Sequence, residues 1–119
     1  MKRFGRVLRL RPGARAEYER AHKEIWPAVA DTIGRLGIRN YSIYCYHDWL
    51  FSYFELPDDA SLDELSHQAL ASEACQRWEK RMQELQEPLP ESGNESWWVP
   101  MDELWHFAGD SLWTGNDEG

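Results

Sequence analysis

Two apolar runs, IRNYSIYCY at 38–46 and WLFSYFEL at 49–56, are separated only by His47-Asp48, and they constrain this 119-residue chain more than any other feature. Both are rich in aromatic and apolar residues, and so short a connection forces antiparallel pairing, so the pattern predicts a β-hairpin. A hairpin buried on one side alternates apolar with polar residues. Here large apolar residues fall at both parities, so both faces need cover. One face is expected to pack on helices and the other to meet another sheet, across a contact between subunits.

The flanking segments supply the rest of a fold. Residues 3–11 alternate as a strand, with Phe4, Leu8 and Leu10 on one face and Arg3, Arg9 and Arg11 on the other, and Pro12-Gly13 ends it. Residues 14–36 carry a helical stripe of Tyr18, His22, Ile25, Val29, Ile33 and Leu36. Pro27 predicts a kink or a restarted turn near Trp26, and Gly37 a C-terminal stop. Ser61-Leu-Asp-Glu64 reads as a capping box, and Ser72 as the cap of a helix with the stripe Cys75, Trp78, Met82, Leu85, ended by Pro88 and Pro90. Residues 88–102 read as a loop and 103–107, ELWHF, as a final strand. That makes 1–107 one domain and 108–119 a flexible tail.

The order β-α-β-β-α-β is that of a ferredoxin-like α+β fold, an antiparallel sheet with helices on one face. Such sheets pair back to back into a dimeric α+β barrel, and the two-faced hairpin fits that arrangement. A homodimer is expected.

Composition narrows the function. No apolar run approaches the ~20 residues needed to span a bilayer, and the broken, basic start MKRFGRVLRLRPG lacks the core of a secretory signal. The expectation is a cytoplasmic protein without a membrane partner. Net charge is −8, split between +6 in residues 1–39 and −14 in residues 40–119. Most aromatics lie in the acidic part, the reverse of a nucleic-acid platform, so no nucleic-acid partner is expected. Cys45 and Cys75 lie 30 apart without a CxxC, and His47, His67 and His106 are scattered, so no metal is expected. The seven tryptophans are expected mostly in core or interface, with one or two lining a pocket.

The residues best placed for chemistry are Tyr18 and His22, one helical turn apart on a face that turns toward the core. Either they are satisfied core residues or the interior holds a pocket in which they meet a substrate. An imidazole that titrates near neutrality suits proton transfer.

The motifs EYxRxH at 17–22, IWP at 25–27, NYSIY at 40–44 and CQRW at 75–78 together resemble the L-rhamnose mutarotases. These are small dimeric α+β barrel isomerases that interconvert the anomers of a 6-deoxy sugar, and the resemblance spans residues 3–107. It implies His22 as the catalytic proton donor, Tyr18, Tyr41 and Trp78 as sugar contacts, a monosaccharide substrate and no cofactor. Where that family typically has Trp-Trp, this chain has Trp78-Glu79. A carboxylate accepts from sugar hydroxyls, so Glu79 is a candidate substrate-binding residue and L-fucose or a related sugar the alternative to L-rhamnose. Glu79 as a solvated helix residue stays open. Two other readings, a monooxygenase of the same architecture and a non-catalytic sugar-binding module, are less favoured by the joint motifs.

Overall fold

The computed structural model describes residues 1–109. Five strands and four helices follow in the order β1 (Lys2–Leu10), α1 (Arg15–Lys23), α2 (Pro27–Arg35), β2 (Arg39–Tyr46), β3 (Trp49–Leu56), α3 (Leu62–Leu70), α4 (Glu73–Gln83), β4 (Gln86–Glu87) and β5 (Val99–Met101). The sheet is antiparallel throughout, in the order β2-β3-β1-β4. One edge of β1 pairs with β3. The other pairs first with β5, at Gly5–Val7, and then with β4, at Arg9–Leu10. The fold is therefore the ferredoxin-like α+β arrangement, with its last strand split in two.

Alternation along the strands sorts the chain into two faces. Phe4, Leu8 and Leu10 of β1 and Leu50, Phe54 and Leu56 of β3 point to the helix side. Apart from half-buried Phe4, all are nearly fully buried. Leu8, Leu10 and Leu50 join Tyr18, Met82 and Leu85 in one core cluster, while Phe54 and Leu56 join Leu65 in another. Truncating any of these leucines to alanine removes about 2–5 kcal/mol. The opposite face shows Tyr44, Tyr46, Trp49 and Phe51, each at least 36 % exposed.

The long helical stripe is interrupted where Pro27 predicts it. Trp26 is held extended at φ −64°, ψ 131° by the following proline, Pro27 opens α2, and Glu24–Trp26 links α1 to α2. Gly37 adopts φ 84° just past α2, and a Cβ there would meet Pro57 Cγ at 3.2 Å. Ser61 and Ser72 cap α3 and α4, accepting from the backbone N–H of Glu64 at 3.0 Å and of Cys75 at 3.3 Å. A bulge between Arg39 and Ser42, with Asn40 at φ 52°, shifts the register of β2 on β3.

The end of the chain departs from the sequence reading. The final strand is Val99–Met101, not 103–107, and residues 102–108 have no regular structure, leaving Leu104 93 % and Trp105 80 % exposed. Pro100 masked this strand. A proline is tolerated because β5 is an edge strand, where a missing N–H leaves no ladder bond unmade. The two-residue β4 was also unforeseen, because helical periodicity runs on through Leu85. Of the expected tail, residues 110–119, with Trp113, lie outside the described residues. Trp105 departs from the expectation of buried tryptophans. Cys45 and Cys75 are free and half-buried, and Cys45 donates to the His47 carbonyl at 3.0 Å. Among the described residues no helix is long and apolar enough to cross a membrane, and no three His, Cys, Asp or Glu cluster to hold a metal ion.

Candidate active site

A cavity of about 370 Å³ lies between the sheet and the helices, large enough for a monosaccharide. Tyr18 and His22 from α1, Tyr41 from β2, and Trp78 and Glu79 from α4 all line it. The five candidates thus meet in one place, although they come from three elements up to 61 positions apart. Tyr18 and His22 also border a second cavity of about 340 Å³ that includes Arg15, Glu19 and Tyr44.

His22 is fixed on both sides. Its Nδ1 lies 2.8 Å from the backbone carbonyl of Tyr18, one turn earlier. A carbonyl only accepts, so Nδ1 carries the proton and the neutral ring presents Nε2 as its basic atom. Burial holds the imidazole below its usual pKa of 6.5, despite that hydrogen bond. The Tyr18 ring packs at 4.5 Å from the imidazole, centroid to centroid, and Trp78 meets it edge-on at 5.4 Å. Trp26 closes this row against Trp78 at 5.3 Å.

The Tyr18 hydroxyl is 3.2 Å from Gln86 Nε2, which donates to it. With that oxygen occupied, the phenol proton is free for another acceptor. Burial raises the Tyr18 pKa well above its usual 10, outweighing the Gln86 bond. Tyr41 is similarly engaged, its hydroxyl accepting from Arg6 Nη2 at 3.0 Å, and its ring tilts against Phe54 at 5.4 Å.

Glu79 faces the cavity rather than bulk solvent. Burial raises its carboxyl above the usual 4.5, while the Arg6 charge and a hydrogen bond from Gln83 Nε2 at 3.4 Å oppose the rise. Of the two positions left open for Glu79 by the sequence, the structure occupies the inward one.

The L-rhamnose mutarotase family model matches residues 3–107. The chain belongs to this family. It is therefore an isomerase that interconverts sugar anomers. The L-rhamnose mutarotase of Listeria monocytogenes is 32 % identical over 91 % of this chain and 100 % of its own length. That of Lactiplantibacillus plantarum is 32 % identical over 90 % and 99 %. The crystal structure of an L-rhamnose mutarotase from Formosa agariphila superposes with a TM-score of 0.72 at 19 % identity, covering 90 % of this chain and 99 % of that one. Tetracenomycin F2 cyclase from Streptomyces glaucescens, a polyketide cyclase, superposes at 0.67 with 20 % identity over the same shares. At such identities these two likenesses speak to the fold alone.

Arg6, Gln86 and Ser96 are among the polar lining residues of this mutarotase-family chain that escaped the sequence reading. Arg6 belongs by strand parity with Phe4 and Leu8, so an arginine on the inward face was a readable signal. Gln86 sits on a strand too short to read from periodicity. Ser96 comes from the loop before β5, together with the aromatic Trp98, in a segment whose path no repeat pattern specifies.

Proposed function

We propose that the protein interconverts the α- and β-anomers of L-rhamnose, with His22 as the acid-base residue and Tyr18, Tyr41, Trp78 and Glu79 contacting the sugar. The supporting observation is the half-buried imidazole whose Nδ1–H is tied to the Tyr18 carbonyl, leaving Nε2 free to exchange a proton with a sugar in the cavity.

Ring opening takes the proton from the anomeric hydroxyl as the bond between the anomeric carbon and ring oxygen breaks, and delivers one to that oxygen. Neutral His22 accepts the first at Nε2. Tyr18 donates to the ring oxygen, and even a phenol of raised pKa is a stronger acid than the sugar alcohol it creates. The imidazolium and phenolate so formed lie in neighbouring rings and offset each other's charge. After rotation about the bond to the anomeric carbon, both transfers reverse, His22 now acting as donor, and the ring closes on the other face. Protons, bonds and charges return to their starting state. The indole of Trp78 offers an apolar plate to the ring C–H groups and the methyl. Water already supports slow exchange, so one positioned acid-base group, at about 10²–10⁴-fold, is sufficient assistance.

The assembly in this reading is a homodimer. The support is the outer sheet face, where Tyr44 pairs across from Phe51 and Tyr46 from Trp49, all exposed, a grouping that a lone subunit would leave in water. The cytoplasmic placement expected from the sequence belongs to the same proposal.

Saturation-transfer NMR on L-rhamnose, L-fucose and L-lyxose, with EDTA present, tests the reading. Faster exchange between the anomers of L-rhamnose than of the others is expected. Exchange that matches buffer for all three sugars would overturn it, and a preference for L-fucose would replace the substrate while keeping the reaction.

A further inference from the structure

Arg6, Asp63, Glu79 and Glu95 line the main cavity. Asp63 and Glu95 are exposed at its rim, whereas Arg6 and Glu79 are drawn in. The Arg6 guanidinium lies over the Phe54 ring at 4.8 Å and the Trp98 ring at 5.2 Å, so its plane is fixed by aromatic contacts. Two of its five N–H groups are committed, Nε to Ser52 Oγ at 3.3 Å and Nη2 to Tyr41 Oη at 3.0 Å. Three remain unused among the described residues.

Glu79, on the facing helix, accepts only the long bond from Gln83. Among the described residues the Arg6 guanidinium bonds to Ser52 and Tyr41 and makes no ion pair with Glu79. Yet the guanidinium is near enough to pull the Glu79 carboxyl down against its burial. Arg6 and Glu79 therefore line one cavity without pairing, each partly withdrawn from solvent and with hydrogen-bonding capacity unspent. Groups drawn out of water in that state are costly unless a polar partner fills the gap.

We propose that Arg6 and Glu79 are a split pair that clamps the hydroxyl groups of the sugar, Arg6 donating to a hydroxyl oxygen and Glu79 accepting a hydroxyl proton. A hydroxyl suits both partners because it donates and accepts at once. An anionic sugar would gain from Arg6 and lose to Glu79, and a cationic one the reverse, so a neutral polyol is the ligand class that satisfies both. The pair sits apart from Tyr18 and His22 in role. It selects and orients the sugar, and it takes no proton from the anomeric centre. Because Nη2 also holds Tyr41, the clamp fixes that hydroxyl in the same movement. This inference rests on the mutarotase reading.

The test compares wild type, Glu79→Gln, Arg6→Met and the double variant. Sugar affinity is followed by titration calorimetry with L-rhamnose, exchange by saturation transfer, and folding by thermal melting. Glu79→Gln keeps the shape and serves if Arg6→Met fails to fold. Each single variant should weaken binding about 10- to 100-fold, the range for a hydrogen bond to a charged group, with turnover at saturating sugar changed less. The double variant should bind much more tightly than the product of the two losses predicts, since either change already breaks the bridge. Wild-type affinity in both singles, or fully additive losses, would overturn the clamp while leaving the mutarotase reading intact. A wild type that neither binds nor interconverts any sugar of the panel would overturn both.

Discussion

The two faces of the sheet reverse the usual arrangement of a two-layer α+β protein. On the inner face, toward the helices, Arg6 and Gln86 stand among leucines and meet Tyr18, Tyr41 and Glu79 around an open cavity. On the outer face, toward solvent, Tyr44, Tyr46, Trp49 and Phe51 are exposed, with Val7 of β1 beside Phe51. Polar groups inside and aromatic groups outside are each unfavourable in isolation. Each is reasonable if something else completes it, a polyol inside and a second copy of the chain outside. On the proposed reading, stability is traded for two binding surfaces on opposite sides of one sheet, and the same strands, β1, β2 and β3, serve both.

Breaking the outer face should give the largest change. With Trp49 and Phe51 both replaced by glutamate, four carboxylates would meet across a dimer, and light scattering should report a fall from twice 14.0 kDa to 14.0 kDa. A wild type already at the single-chain mass would remove the outer half of the comparison. The inner face should respond differently. His22→Ala is expected to lower anomer exchange by about a hundredfold or more, with the melting temperature little changed. Near-normal exchange in that variant would make His22 a core residue.

Tyr18→Phe keeps the ring on His22 and deletes the hydroxyl, so a smaller loss, about tenfold, is expected in the same assay. The pH profile sharpens this. Because burial lowers the His22 pKa from 6.5, the neutral base persists below the range of a free imidazole, and exchange should stay level through neutrality and decline only below pH 6.5. A decline centred above 6.5 would mean that His22 is not the base. The smallest effect is expected at Gln86→Leu. Gln86 is 1 % exposed and its Oε1 has no partner among the described residues. Removing that orphan offsets the lost bond to Tyr18, so chemical denaturation should shift by no more than about 1 kcal/mol. Exchange should fall a few-fold as Tyr18 loses its orientation.

How much was legible beforehand follows the same division. The outer face could be read from β2 and β3 alone, because strand parity shows Tyr44 with Tyr46 and Trp49 with Phe51 as unavoidable apolar surface. Tyr18 and His22 were visible as polar intrusions on a helical stripe, and Pro27 marked the break after them. Glu79 could not be placed, since one residue past Trp78 is rotated about 100° around the helix. The cavity's reach and the packing of α4 decide its direction, and neither is local. The C-terminal strand was misplaced because Pro100 counts against a strand everywhere except at an edge. Which segment reaches the free edge of β1 is a tertiary fact. Arg6 was legible by parity, but an arginine among Arg3, Arg9 and Arg11 reads as solvent-facing until Phe54 and Trp98 are seen beneath it.

The central claim is that this inner cavity, through His22, exchanges the anomers of a neutral deoxy sugar. Saturation transfer on L-rhamnose at pH 7, with wild type and His22→Ala side by side at catalytic concentration, tests it most directly. Transfer between the α and β signals should be strong with wild type and should fall by about a hundredfold or more with His22→Ala, as expected for loss of the acid-base group. Equal transfer with both proteins, or none above buffer with wild type, would contradict it.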